Sequence, residues 1–140
     1  MKNMSVFIVF VFLILGVAET VFADVLIIAN KDVPDTTLSS DDVKKIFLGK
    51  NVQWSNNAHI IIVISKNEDI HKDFLKRYVK RTASQYKAYW RNMLFTGNGI
   101  EPRSFDSEEK LMEYVANTPG VVSYIDSGTV PVNVNTITVK

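Results

Sequence analysis

Three short apolar runs constrain this chain more than anything else in it. They are residues 25–29 (VLIIA), 60–64 (IIIVI) and 121–125 (VVSYI). The first two are rich in β-branched residues and lack the alternation of a strand with one wet face. Runs of this kind suit a sheet covered by helices on both sides. Residues 137–139 predict a further strand.

Helical patterns lie between the strands. Residues 30–38, containing Pro34, read as a loop. Ser39 precedes Asp42 by three positions, a capping signature with acids in the first turn. Val43, Ile46 and Phe47 then share one face, and Gly49 ends that helix. Ile70, Phe74, Leu75, Tyr78 and Val79 have helical spacing. Thr82 and Gln85 form a second capping box, starting a helix whose inner face is Tyr86, Trp90, Met93 and Leu94. Gly97, Gly99 and Pro102 keep the next stretch irregular. Asp106 or Ser107 caps a fourth helix with Leu111, Tyr114 and Val115 inward. Strands alternating with helices predict an α/β layer structure.

The N-terminus reads as an address. Residues 1–5 carry one charge, Lys2, and residues 6–17 (VFIVFVFLILGV) are apolar throughout. Val21 and Ala23 stand at the −3 and −1 positions of a small-residue cleavage site. This is the order of a secretory signal peptide, and the run is shorter than the ~20 residues that span a bilayer. The reading gives a signal peptide over 1–23, cleavage after Ala23, and one exported domain over 24–140. The chain has no cysteine, so it is not a lipoprotein and has no disulfide, thiolate nucleophile or Cys-based zinc site.

Charge and motifs narrow the function. With 16 basic against 15 acidic residues there is no global field for nucleic acid. His59 and His71 sit on different elements with no ligand spacing around them, which argues against zinc. No nucleophile–base pair, G-x-S-x-G or P-loop appears, so nothing favours an enzyme, and no cofactor is implied. The basic run Lys76, Arg77, Lys80, Arg81, Lys87 and Arg91 has no acid from Phe74 to Ile100. Helical spacing sets it largely opposite Tyr86 and Trp90, as a solvated face. Ser65, Lys66 and Asn67 follow a buried strand and precede a helix, the place where open α/β sheets hold anions on backbone N–H groups. Glu68 and Asp69 share that turn and oppose an anion.

Residues 38–50 (LSSDDVKKIFLGK) followed by Trp54 resemble the L-s-x-x-x-l-x-x-I-[FY]-x-G-k-x-x-x-W segment of PstS-like phosphate substrate-binding proteins of ABC transporters, in the type II periplasmic binding protein class. Tyr89, Trp90, residues 95–97, Pro102 and Ser107 are in step with short members of that group. Residues 114–125 (YVANTPGVVSYI) resemble its V-x-x-x-p-G-A-I-G-Y strand. The resemblance implies a periplasmic, single periplasmic-binding-protein-like lobe, a mixed β-sheet flanked by helices. It implies phosphate or another small anion as ligand, and an ABC permease or a periplasmic protein as partner. The family's oxyanion-gripping Arg and Ser-Gly-Thr are replaced here by residues 65–71 (SKNEDIH), and the Gly of its last strand by Ser123. What carries over is the location, with Ser65, Lys66 and Asn67 as the anion-binding candidates. The alternative is a periplasmic interaction module that has lost solute binding. A two-lobed trap takes roughly 200–300 residues at roughly 100–150 per lobe. Residues 24–140 make one lobe, so a second copy in a homodimer, or another chain, would supply the other wall.

Overall fold

The computed structural model describes residues 24–140; the expected signal peptide and its cleavage site lie outside them. Six strands form one sheet in the order β2-β6-β1-β5-β3-β4. They are β1 (Val25–Ala29), β2 (Thr37–Leu38), β3 (Ile61–Ser65), β4 (Arg103–Phe105), β5 (Val121–Asp126) and β6 (Asn135–Val139). Central β1 pairs antiparallel with β5, setting Ile27 opposite Tyr124, and with β6. The β3–β5, β3–β4 and β2–β6 pairs are parallel. The sheet is therefore mixed, as the resemblance implies, within the α/β layering that the alternation of strands and helices predicts.

Helices cover both faces, which is why the strand runs are apolar without alternation. On one face Val25, Ile27, Ala29, Val122 and Tyr124 pack against α1 (Ser40–Phe47), α2 (Glu68–Phe74) and α3 (Ala83–Phe95). On the other, Ile28, Val63, Val121 and Ile125 pack against Leu111 and Val115 of α4 (Glu108–Asn117). Alternate residues of β5 thus serve different cores, following the period of two.

The caps explain the helix starts. Ser39 and Asp42 form a reciprocal capping box on α1, as do Thr82 and Gln85 on α3. Ser107, not Asp106, caps α4 by accepting from the Lys110 N–H. Gly49 takes φ +67° after α1, and a Cβ there would lie 2.7 Å from the Trp90 ring. The last turn of α1 and α3 are tied directly: the Tyr86 hydroxyl donates to the Phe47 carbonyl at 2.7 Å.

Four local expectations change. The helix predicted through Val79 is α-helical only to Phe74, then a π-helical turn over Leu75–Val79. Lys80 closes that turn at φ 60°, its N–H donating to the Leu75 carbonyl at 2.7 Å. The stretch read as a loop before Ser39 contains β2, and the irregular stretch after Pro102 contains β4. Both are edge strands of two or three residues, too short to show a period. Leu94 is 53% exposed although it has core spacing, because this face's core ends at Trp90, one turn earlier, with Met93 half-buried beside it.

Candidate functional site

Ser65, Lys66 and Asn67 lie together at the C-terminal end of β3, and each is engaged locally. The Ser65 N–H donates to the Tyr124 hydroxyl at 3.1 Å, and its Oγ accepts from the Asn67 N–H at 3.1 Å. The Lys66 N–H donates to the Phe105 carbonyl, joining β3 to β4, while Nζ is 3.2 Å from the exposed Asp106 carboxylate. Asn67 Oδ1 accepts from the Asp69 and Ile70 N–H groups, at 3.1 and 3.3 Å. Two of the donors that make a helix start attractive to an anion are therefore used by α2's own cap, and Glu68 and Asp69 fill its first turn.

The loop opens onto a groove of about 1040 Å³. One wall is Ile64, Ser65 and Lys66 with His71, Lys72 and Lys76 of α2 and the π turn. The facing wall is the start of α3, from Lys80 to Lys87, with Glu101, Pro102 and Ser104 beyond it. Tyr86 and Trp90 give the groove an apolar lining. Two helix N-termini, those of α2 and α3, therefore converge here. They differ in charge: α1, α2 and α4 carry acids in their first turns, and α3 carries none. Its cap uses the Gln85 N–H, and Lys80, Arg81 and Lys87 surround its start. Among the residues lining the groove, six are cationic (Lys66, Lys72, Lys76, Lys80, Arg81, Lys87) and two are acidic (Glu68, Glu101). Like charges around one concavity focus its potential.

Beneath the groove is a buried aromatic stack. The Tyr124 and Phe74 rings are stacked, with centroids 3.9 Å apart, and Phe47 meets Phe74 edge-on at 4.6 Å. The Tyr124 hydroxyl is 2.5 Å from His71 Nδ1. Burial lowers the His71 pKa from its ordinary value and raises those of Tyr86 and Tyr124, so all three are neutral near pH 7. At the position where the resemblance implies a glycine, the buried Ser123 Oγ donates to the Val63 carbonyl of β3 at 2.8 Å, so its hydroxyl is satisfied within the sheet.

Of the three predicted residues, Ser65 and Lys66 line the groove, while Asn67 lies outside its lining as the cap of α2. Four of the six residues of the basic run, read from the sequence as a solvated face, add to that lining: Lys76, Lys80, Arg81 and Lys87. Arg77 pairs with Asp24, and Arg91 lies outside the lining. The run's signal was the absence of any acid from Phe74 to Ile100. Helical spacing within α3 concealed it, because the groove is closed by a different element, α2 with its π turn. His59 is exposed and is not among the residues lining this groove. Among the described residues, no group of three or more His, Cys, Asp or Glu is placed to hold a metal. Among them too, no helix is long and apolar enough to cross a membrane.

No family model matches the chain, and no curated protein is significantly similar to it. Solved structures are. A protein assigned as a phosphate ABC transporter substrate-binding protein from Clostridium perfringens, solved with bound phosphate, has a TM-score of 0.65 at 18% identity, over 82% of this chain and 44% of its own. PstS from Borrelia burgdorferi has 0.62 at 16% identity, over 83% and 47%. An ABC-type phosphate transport receptor from Vibrio cholerae has 0.56 at 16%, over 82% and 45%. The chain spans less than half the length of each. With its mixed sheet and helices on both faces, the chain therefore has a PstS-like fold, that of a domain of the periplasmic-binding-protein kind.

Proposed function

We propose that this protein binds phosphate or a similar small anion, in the groove between Ser65–Asn67 and the start of α3. The observation that carries the reading is the acid-free N-terminus of α3, flanked by Lys80, Arg81 and Lys87, facing Lys66 and Lys72 across the groove. Helix-end N–H groups and the dipole favour an anion, and the lysines supply the field. The likeness of the fold to phosphate-binding proteins supports the ligand class. In this reading the chain is exported by the signal peptide over 1–23, acts in the periplasm as residues 24–140, and serves an ABC permease. It performs no catalysis. A second copy or another chain forms the opposite wall of a closed trap.

Titration calorimetry of the purified protein with inorganic phosphate tests the binding. Saturable heat is expected, weakened more by Lys66→Ala than by Lys110→Ala on α4. Absence of heat and of a thermal shift at millimolar phosphate would defeat the reading. Export is tested by the mass of the protein recovered from the periplasm, which should begin at Asp24. A second reading, an interaction module without solute binding, is favoured by one observation: the acidic Glu68, in the first turn of α2, lines the α2 end of the groove. Reproducible capture of a periplasmic protein, lost on reversing the groove's charge, would support that reading if phosphate does not bind.

A further inference from the structure

The groove contains one neutral group whose protonation the structure fixes. Tyr124 is fully buried, and its oxygen already accepts from the Ser65 N–H at 3.1 Å. A buried hydroxyl proton needs an acceptor of its own. His71 Nδ1, 2.5 Å away, is the acceptor that the described contacts provide. Nδ1 therefore carries no proton, and the neutral ring carries it on Nε2. The ring is held on both sides, stacked near Tyr124 with centroids 6.1 Å apart and met edge-on by Tyr86 at 5.9 Å. With Nδ1 engaged by Tyr124 and His71 lining the groove, Nε2–H is the ring's remaining polar atom.

We infer that His71 is a ligand-binding residue, a neutral Nε2–H donor to an anion oxygen at the floor of the groove, with Tyr124 as the positioning residue that fixes its tautomer. The inference rests on the proposed anion binding and adds a residue to it. A donor held in place by a buried hydroxyl loses little rotamer freedom on binding, unlike the lysines at the rim. It also differs from them in kind: the lysines attract any anion, whereas a fixed N–H selects one that presents an acceptor at that point.

The test is nitrogen-15 NMR of the imidazole rings at pH 7.5, with and without inorganic phosphate, beside calorimetry of two variants. The expected spectrum shows His71 with Nδ1 unprotonated and Nε2 protonated. On adding phosphate the His71 Nε2 signal shifts, and that of His59 stays. His71→Leu should weaken phosphate binding about ten-fold, the effect of one hydrogen bond to a charged group. His71→Gln, which keeps an N–H donor at similar reach, should stay within about three-fold. Tyr124→Phe should leave a mixture of His71 tautomers. A protonated Nδ1 in the wild type, or a His71→Leu variant that binds phosphate as tightly as wild type, would overturn this inference alone. Failure of the wild type to bind phosphate would overturn the functional reading and this inference with it. The wild-type spectrum needs no variant, so it decides the tautomer even if His71→Leu does not fold.

Discussion

Replacing Tyr124 by Phe isolates one oxygen at the junction of core and groove. The ring stack on Phe74, at 3.9 Å, and the contact with Phe47 survive the change, so the cavity left is that of a single hydroxyl. Two hydrogen bonds are lost. The Ser65 N–H, at the buried end of β3, loses its acceptor, which costs about 1–3 kcal/mol. His71 Nδ1 loses its donor but belongs to a half-buried ring that water can reach, adding about 0–1 kcal/mol. The total is about 1–4 kcal/mol, centred at about 2.5, or a melting temperature lower by about 10 °C for a domain of this size. Urea unfolding followed by the fluorescence of Trp54 and Trp90, both buried, measures it. The slope with urea should stay constant while the midpoint falls. A loss under about 0.5 kcal/mol would refute the reasoning, because Ser65 N–H would then have another acceptor ready.

Further outcomes follow from the same contacts. Burial lowers the folded-state pKa of His71 below its unfolded value, so the unfolded chain takes up the proton first as pH falls. Its contribution to stability is full above about pH 6.5 and is lost as pH falls from there toward the folded pKa. Unfolding curves from pH 8 to pH 5 should show that loss, and His71→Leu should flatten it. Gly120 takes φ +82°, and a Cβ there would lie 2.4 Å from the His59 carbonyl oxygen. Gly120→Ala should cost about 3 kcal/mol in a thermal melt, combining left-handed strain with a backbone clash. Asn30 is buried, its Nδ2 donating to the Val115 and Ala116 carbonyls at 2.9 and 3.1 Å, at the C-terminal end of α4. Asn30→Ala should cost about 2–3 kcal/mol by chemical denaturation, whereas Asn30→Asp, which keeps the acceptor for the Asp32 N–H but loses the donors, should cost at least as much.

What the sequence made legible was local. The capping pairs Ser39–Asp42 and Thr82–Gln85 declare helix starts within four residues, and both formed as read. The buried strands were legible because continuous apolar runs have few other uses in a short segment. The short edge strands β2 and β4 were not, since their pairing with β6 and β3 is set by tertiary position and not by their own residues. The π turn was hidden for a related reason: Phe74, Leu75 and Val79 have the same apolar spacing in either helix, and the extra residue is absorbed where Lys80 turns left-handed. Ser65, Lys66 and Asn67 were legible as anion-binding candidates because they stand where a buried strand meets a helix start. The remaining groove residues come from elements brought together only by folding. His71 meets Tyr124 across 53 positions of sequence, and no local pattern marks either as a partner of the other.

The central claim is that the basic groove holds a small anion. Its most direct test is calorimetric titration of inorganic phosphate into the wild-type protein and into Lys72→Glu/Lys87→Glu, at low and at physiological salt. The account predicts saturable binding by the wild type that weakens as salt rises, and none by the charge-reversed variant of unchanged fold. No binding by the wild type at millimolar phosphate, or equal binding by both proteins, would contradict it.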